Sequence, residues 1–163
     1  SVIINLIVCF EGKFEEFRRR GLTFPPHLFF YHEVSHKEVV GVLINKFGFS
    51  REDAIRSMND LVKEFNLERI SRDDSIDAQY ETLVGAANER VVQRSKNTKL
   101  TIGPLDVIIV AGFLHEGVNF IHSGDNGLLK TCEELGINTL PIPQRDVEQE
   151  KKLRQWMQKK AKF

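Results

Sequence analysis

Two acids, Asp106 and Asp125, stand where carboxylates are able to do chemistry. They bracket the stretch Leu105-Asp-Val-Ile-Ile-Val-Ala-Gly-Phe-Leu-His-Glu-Gly-Val-Asn-Phe-Ile-His-Ser-Gly-Asp125. The first acid begins an otherwise apolar helix, and the second directly follows the next strand. In open α/β folds, ligands bind outside the carboxyl ends of the strands, so both acids are placed to face one crevice. Carboxylates converging there repel one another unless a divalent cation neutralises them, and hard oxygen ligands select Mg²⁺ or Mn²⁺. A plainer reading fits the same spacing: Asp106 as a first-turn partner of the helix dipole, Asp125 as a turn or N-cap residue.

A sharper local motif lies upstream. His32-Glu33-Val34-Ser35-His36 matches H-E-x-x-H, in which two histidines one helical turn apart bind Zn²⁺ beside a glutamate base. It ranks behind the carboxylate site, because no third ligand stands at a familiar spacing and Lys37-Glu38 follows directly on what would be a buried catalytic helix. His27, His115 and His122 have no ligand spacing and read as structural or solvated histidines.

The elements that must position these residues alternate along the chain. Val2 to Phe10 is almost continuously apolar and β-branched, as expected of a strand covered on both faces, with Asn5 as its one polar interruption. Lys13 to Gly21 reads as a short helix ended by glycine. Pro25-Pro26 opens a helical pattern from about His27 to Phe47, closed by Gly48. Ser50 caps a helix carrying Ala54, Ile55, Met58, Leu61, Val62 and Phe65. Leu67 to Ile70 is a strand candidate, Ser75 caps a helix running to Val92, and Gln93 to Lys99 is a polar loop. A helix begins near Leu105 and ends at Glu116-Gly117. Val118 to His122 then reads as a strand, Ser123 to Gly127 as a turn, Leu128 to Leu135 as a helix, Ile137 to Ile142 as a strand and Asp146 to Phe163 as a terminal helix. Such alternation implies an α/β fold, a three-layer α/β/α sandwich with a mainly parallel central sheet.

Composition narrows the classes. The chain has 163 residues, the length of one ordinary domain, and 41% of them are apolar, which argues against disorder. Twenty-three Lys+Arg balance twenty-three Asp+Glu, so any affinity for polyanions must come from local charge. Arg18-Arg19-Arg20 is one such cluster. The segment 146–163 is another: a basic helix that carries Lys151, Lys152, Arg154, Lys159, Lys160 and Lys162, with Leu153, Trp156 and Met157 on its apolar side. A segment of this kind lies along a phosphate backbone with salt-dependent affinity, or packs as a surface helix with Trp156 inward. Cys9 and Cys132 alone form no disulfide framework, which suits a cytoplasmic protein with both as small core residues. The apolar opening is too short for a membrane span, which needs about 20 residues.

The stretch from Pro104 to Ile142 resembles the PIN domain, a family of metal-dependent ribonucleases. Asp106-Val-Ile-Ile-Val-Ala111 is similar to the family's aspartate leading an apolar helix, and Ser123-Gly-Asp125 to its small hydroxyl residue two positions before a final aspartate. Leu128-Leu129 and Glu134-Leu135-Gly136-Ile137 follow the family's closing run. Pro26-His-Leu-Phe-Phe-Tyr-His-Glu33-Val34 resembles the segment whose helix carries the family's glutamate, with Glu38-Val39 as the alternative position. Ser35-His-Lys-Glu38 also reads as a capping box. The resemblance departs at the opening strand, where the family places an aspartate and this chain has Asn5. A lone amide satisfied inside a buried strand is the other account of that residue.

The resemblance implies one PIN-like domain over residues 1–163 and an endoribonuclease acting on single-stranded RNA. Asn5, Glu33, Asp106 and Asp125 would hold Mg²⁺ or Mn²⁺, with Glu38 as alternative to Glu33. Ser123 would hydrogen-bond a ligand carboxylate or the attacking water. The amide at Asn5 weakens that site, and the alternative is a catalytically inactive RNA-binding or assembly module. Homodimerisation or a protein partner is a further expectation, with no membrane association.

Overall fold

The computed structural model describes residues 28–139 and the helical positions 148, 151, 152 and 155. Asn5, Cys9, the arginine cluster, the opening strand and most of the basic tail lie outside the described residues. In chain order the elements are β1 (Phe30–His32), α1 (Glu33–Phe47), α2 (Arg51–Glu64), β2 (Glu68–Ile70), α3 (Asp74–Ser95), a 3₁₀ turn (Thr98–Leu100), α4 (Pro104–His115), β3 (Phe120–Ile121), α5 (Asn126–Glu134) and β4 (Asn138–Thr139).

The sandwich expected from the sequence is not what forms. The structure is mostly helical, and its strands make only two short two-stranded parallel sheets, β1 with β2 and β3 with β4. No central sheet runs between helical layers among the described residues. The strands expected at 67–70, 118–122 and 137–142 each form in part, but only two or three described residues of each belong to a strand, too few to build a wide sheet. Of the run Val118 to His122, only Phe120 and Ile121 pair, opposite Asn138 and Thr139. The core they join is built by helices packed directly on one another.

The chain divides into two compact units, one of residues 1–31, 35–69 and 143–163, the other of residues 32–34 and 70–142. In the first unit, α1 buries Val39, Leu43 and Phe47 and α2 buries Ala54, Met58 and Leu61, each set at helical spacing. Gly48 ends α1 in the left-handed region (φ 72°), where glycine is free of strain, and the Phe49 N–H donates to Leu43 O at 3.1 Å. Ser50 caps α2 by accepting from the Asp53 N–H at 3.0 Å. The helix expected over 27–47 starts later than its sequence suggests. Phe30 and Tyr31 go to β1, and just before it the Glu68 N–H donates to Phe29 O at 2.8 Å.

The second unit holds the candidate site. α3, α4 and α5 enclose a buried cluster of Val84, Val110, Ile121, Leu128, Cys132 and Ile137, with Tyr80, Ile102, Val107 and Phe113 packed on it. α4 is apolar on nearly every face, the pattern of a helix surrounded by protein. Asp73, not Ser75, caps α3, its Oδ1 accepting from the Ser75 N–H at 2.8 Å. On the outer surface Arg90 and Arg94 of α3 both grip Glu134 of α5. Their hydrogen bonds, with a smaller contribution from their charges, hold its carboxyl below the usual range. β3, α5 and β4 form a parallel β-α-β unit, with α5 as the crossover that such a pair requires. No helix among the described residues is long and apolar enough to cross a membrane.

Candidate metal centre

The loop after β3 builds one wall of the site. The Asp125 N–H donates to Ser123 Oγ at 3.1 Å, closing a tight turn. Asp125 then caps α5, its Oδ1 accepting from the Leu128 N–H at 2.9 Å. The plainer sequence reading of Asp125 is therefore true of one of its oxygens. Oδ2 accepts no hydrogen bond among the described residues, and Asp125 sits at the N-cap of α5, in the loop that follows the parallel strand β3. Ser123 uses its oxygen to fix the Asp125 backbone, so its structural task is the turn itself.

Asp106 stands in the first turn of α4. Pro104 occupies the first turn of α4, where a missing N–H costs nothing, and Asp106 follows with Oδ2 accepting from the Gly103 N–H at 3.3 Å. Its carboxyl is held above the ordinary carboxylate range by burial and by the negative charge of Asp125, against the pull of the Gly103 bond. Asp106 and Asp125 are thus within electrostatic reach of one another, although 19 residues separate them in sequence. Beneath them the Cys132 thiol is pushed up to about 12 by burial and by the charges of Asp106 and Glu133, so it is neither a thiolate ligand nor a nucleophile at neutral pH.

Glu33 is not drawn into this pair. Its Oε2 accepts from the Arg72 N–H at 3.3 Å, tying the start of α1 to the segment that enters α3. The neighbouring His32 ring lies against Gly112, six residues and about 9 Å of helix rise from Asp106. Among the described residues no group of three or more His, Cys, Asp or Glu side chains converges to hold a metal ion. Glu38 is exposed on α1 in the other compact unit, and Asn5 lies outside the described residues.

No third ligand joins the H-E-x-x-H residues among the described residues. His32 ends β1, and the helix begins at Glu33. His32 is buried, its Nδ1 accepting from the Val34 N–H at 3.2 Å, while the His36 ring lies tilted at 37° to Tyr31, centroids 6.3 Å apart. Burial holds the His32 imidazole below its ordinary pKa, with Arg72 adding to that effect and Asp77 and Glu33 opposing it.

Two acids are fewer than the sequence pattern suggested. Mg²⁺ is commonly held through one or two carboxylates, keeping waters and taking up substrate phosphates. The rise in the Asp106 carboxyl comes chiefly from burial, with the Asp125 charge a smaller contribution. No protein-family model, curated protein or solved structure matches the chain.

Proposed function

We propose that the chain is a Mg²⁺- or Mn²⁺-dependent endoribonuclease acting on single-stranded RNA, with Asp106 and Asp125 as its acidic pair. The observation that carries this reading is the juxtaposition of a half-buried carboxyl with a second one at the carboxyl end of β3, each with an oxygen that accepts no hydrogen bond among the described residues. The resemblance of the stretch from Pro104 to Ile142 to the PIN domain supports the same chemistry from the sequence side.

When bound, the cation would polarise the phosphodiester and lower the pKa of a bound water. Asp106 and Asp125 would orient it, and the first turn of α5 would add the favourable N-terminal dipole for a phosphate oxygen. The Ser123 turn keeps Asp125 from swinging out of the site. Single strands suit it because an unpaired backbone is free to bring a phosphodiester to the acids.

A second reading, a non-catalytic RNA-binding module, is favoured by one specific observation. Among the described residues no third acid joins Asp106 and Asp125, Glu33 having one oxygen on the Arg72 N–H, and Asn5 carries no charge to strengthen cation binding. Labelled single-stranded RNA incubated with MnCl₂ separates the two. Cleavage that disappears in Asp106→Asn and Asp125→Asn supports the nuclease. Cleavage only in Asn5→Asp marks a weakened nuclease. Binding without cleavage in every variant selects the second reading, and neither binding nor cleavage removes both.

A further inference from the structure

One polar side chain inside the apolar core of the second unit has no evident place in a packing scheme. α3 turns Val84, Ala87, Asn88 and Val91 inward, and Asn88 is only 6% exposed among them. An amide in that position costs stability unless its donors and acceptor are all engaged. They are. Nδ2 donates to Leu100 O at 2.8 Å and to Thr131 Oγ1 at 2.9 Å, and Oδ1 accepts from the Ile102 N–H at 3.3 Å.

These three bonds go to two different structures. Leu100 and Ile102 belong to the segment that delivers the chain to Gly103, whose N–H holds Asp106. Thr131 lies on α5 and passes the connection on, its hydroxyl donating to Gly127 O at 2.8 Å in the helix turn that Asp125 caps. Hydrogen bonds, joined through the peptide links Ile102–Gly103 and Gly127–Leu128, therefore connect the base of Asp106 through Asn88 to the base of Asp125. Close packing reinforces this connection: a Cβ on Gly127 would meet Leu100 O at 2.7 Å, so the segment and the helix turn are already in backbone contact.

We propose that Asn88 is the positioning residue that sets the spacing of Asp106 and Asp125, and so the cation affinity of the pair. The inference rests on the reading of that pair as a cation site. Its chemical logic is specific to an amide. Leucine of similar size offers no polar atoms, and aspartate would present a second acceptor to Leu100 O. An outer group that orients ligand-bearing elements typically changes metal affinity by about 10–100-fold when removed.

The test uses the full chain, free of metal and then titrated with MnCl₂, with amide hydrogen exchange recorded alongside. In Asn88→Ala, exchange at the Ile102 and Leu128 amides rises at least about tenfold while the Met58 and Leu61 amides of α2 keep their rates, and the Mn²⁺ Kd weakens by about tenfold or more. In Thr131→Val, which keeps side-chain shape and leaves the bonds to Leu100 and Ile102 intact, Leu128 loosens, Ile102 does not, and Mn²⁺ affinity falls by less. Unchanged exchange at Ile102 and Leu128 in folded Asn88→Ala overturns the proposal, as does loosened exchange with unchanged Mn²⁺ affinity. If Asn88→Ala does not fold, Thr131→Val decides, and an unaltered Leu128 amide or unaltered affinity overturns it. Should the parent chain bind no Mn²⁺, the cation reading falls, and exchange alone tells whether Asn88 couples the two helix starts.

Discussion

The imidazole of His32 fills the space that a side chain at position 112 would need. A Cβ on Gly112 would stand 2.8 Å from His32 Cδ2 and 3.1 Å from Ile70 Cγ2. Neither neighbour yields easily, because the ring is buried and its Nδ1 is bonded to the Val34 N–H. Alanine ordinarily stabilises a helix interior by about 1 kcal/mol over glycine, but overpacking costs about 1–3 kcal/mol. Gly112→Ala is therefore expected to lower stability on balance. Gly85, on α3 with nothing near its missing Cβ, is the control, and Gly85→Ala is expected to raise stability by about 0.5–1 kcal/mol. Denaturant midpoints of the two variants should move in opposite directions, and equal shifts would refute the close packing of α4 on His32.

Acidification should weaken the fold through the same histidine. Its folded pKa lies below the ordinary 6.5, chiefly because burial penalises the imidazolium, with Arg72 adding to the effect and Asp77 and Glu33 opposing it. The unfolded chain therefore takes up the proton first. Stability is complete above pH 6.5, falls as the pH drops from there toward the folded pKa, and loses nothing more from this group below it. His32→Gln, whose side chain does not titrate, should flatten the decline of Tm between pH 7.5 and 5.5 even where it lowers Tm throughout. A decline as steep as in the parent would assign the acid sensitivity elsewhere.

Much of the local structure could be read from the sequence because its causes are local. Gly48 ends α1 and Ser50 caps α2 through bonds that span no more than a few residues. The sheets were a different matter, since a strand exists only if a distant partner accepts it. Val118 to His122 has the composition of a buried strand, but only two of its residues find partners on β4. The site divides along the same line. Asp106 and Asp125 lie on elements joined by one short β-strand and one tight turn. The Glu33 bond to the Arg72 N–H, by contrast, spans 39 residues and has no periodic signature. Asn88 did leave a signal, a lone amide on the apolar stripe of α3.

Removing the charge at Asp106 should separate stability from activity. Burial, followed by the charge of Asp125, raises its folded pKa above the ordinary 3.8, so the native chain holds the proton more firmly than the unfolded one. The contribution is favourable at low pH, fully present below 3.8, and lost as the pH rises through the folded pKa. At pH 7 the ionised group is a net burden. Asp106→Asn keeps an oxygen for the Gly103 N–H and removes that burden, so Tm at pH 7 should rise and the gain should vanish near pH 3. Mn²⁺-dependent cleavage should fall by about 100-fold or more, the scale on which losing one preorganised electrostatic group acts. A variant that is less stable at pH 7, or that cleaves as the parent does, would contradict the assignment.

Gly127 tests whether the two helix starts must touch for the acids to work together. A Cβ there would meet Leu100 O at 2.7 Å, Leu100 C at 3.0 Å and Asp125 Oδ1 at 3.2 Å. Two of these are backbone atoms on the segment leading to Asp106, and the third is the carboxylate itself. Relief requires the first turn of α5 to move away from the 3₁₀ turn, carrying Asp125 with it. Gly127→Ala should therefore cost about 1–3 kcal/mol and weaken Mn²⁺ binding in the same variant. The separation of the two carboxylates, read from its crystal structure, should change even though both acids remain. Should Gly127→Ala bind Mn²⁺ as tightly as the parent with the turn displaced, the spacing of Asp106 and Asp125 would not govern cation capture.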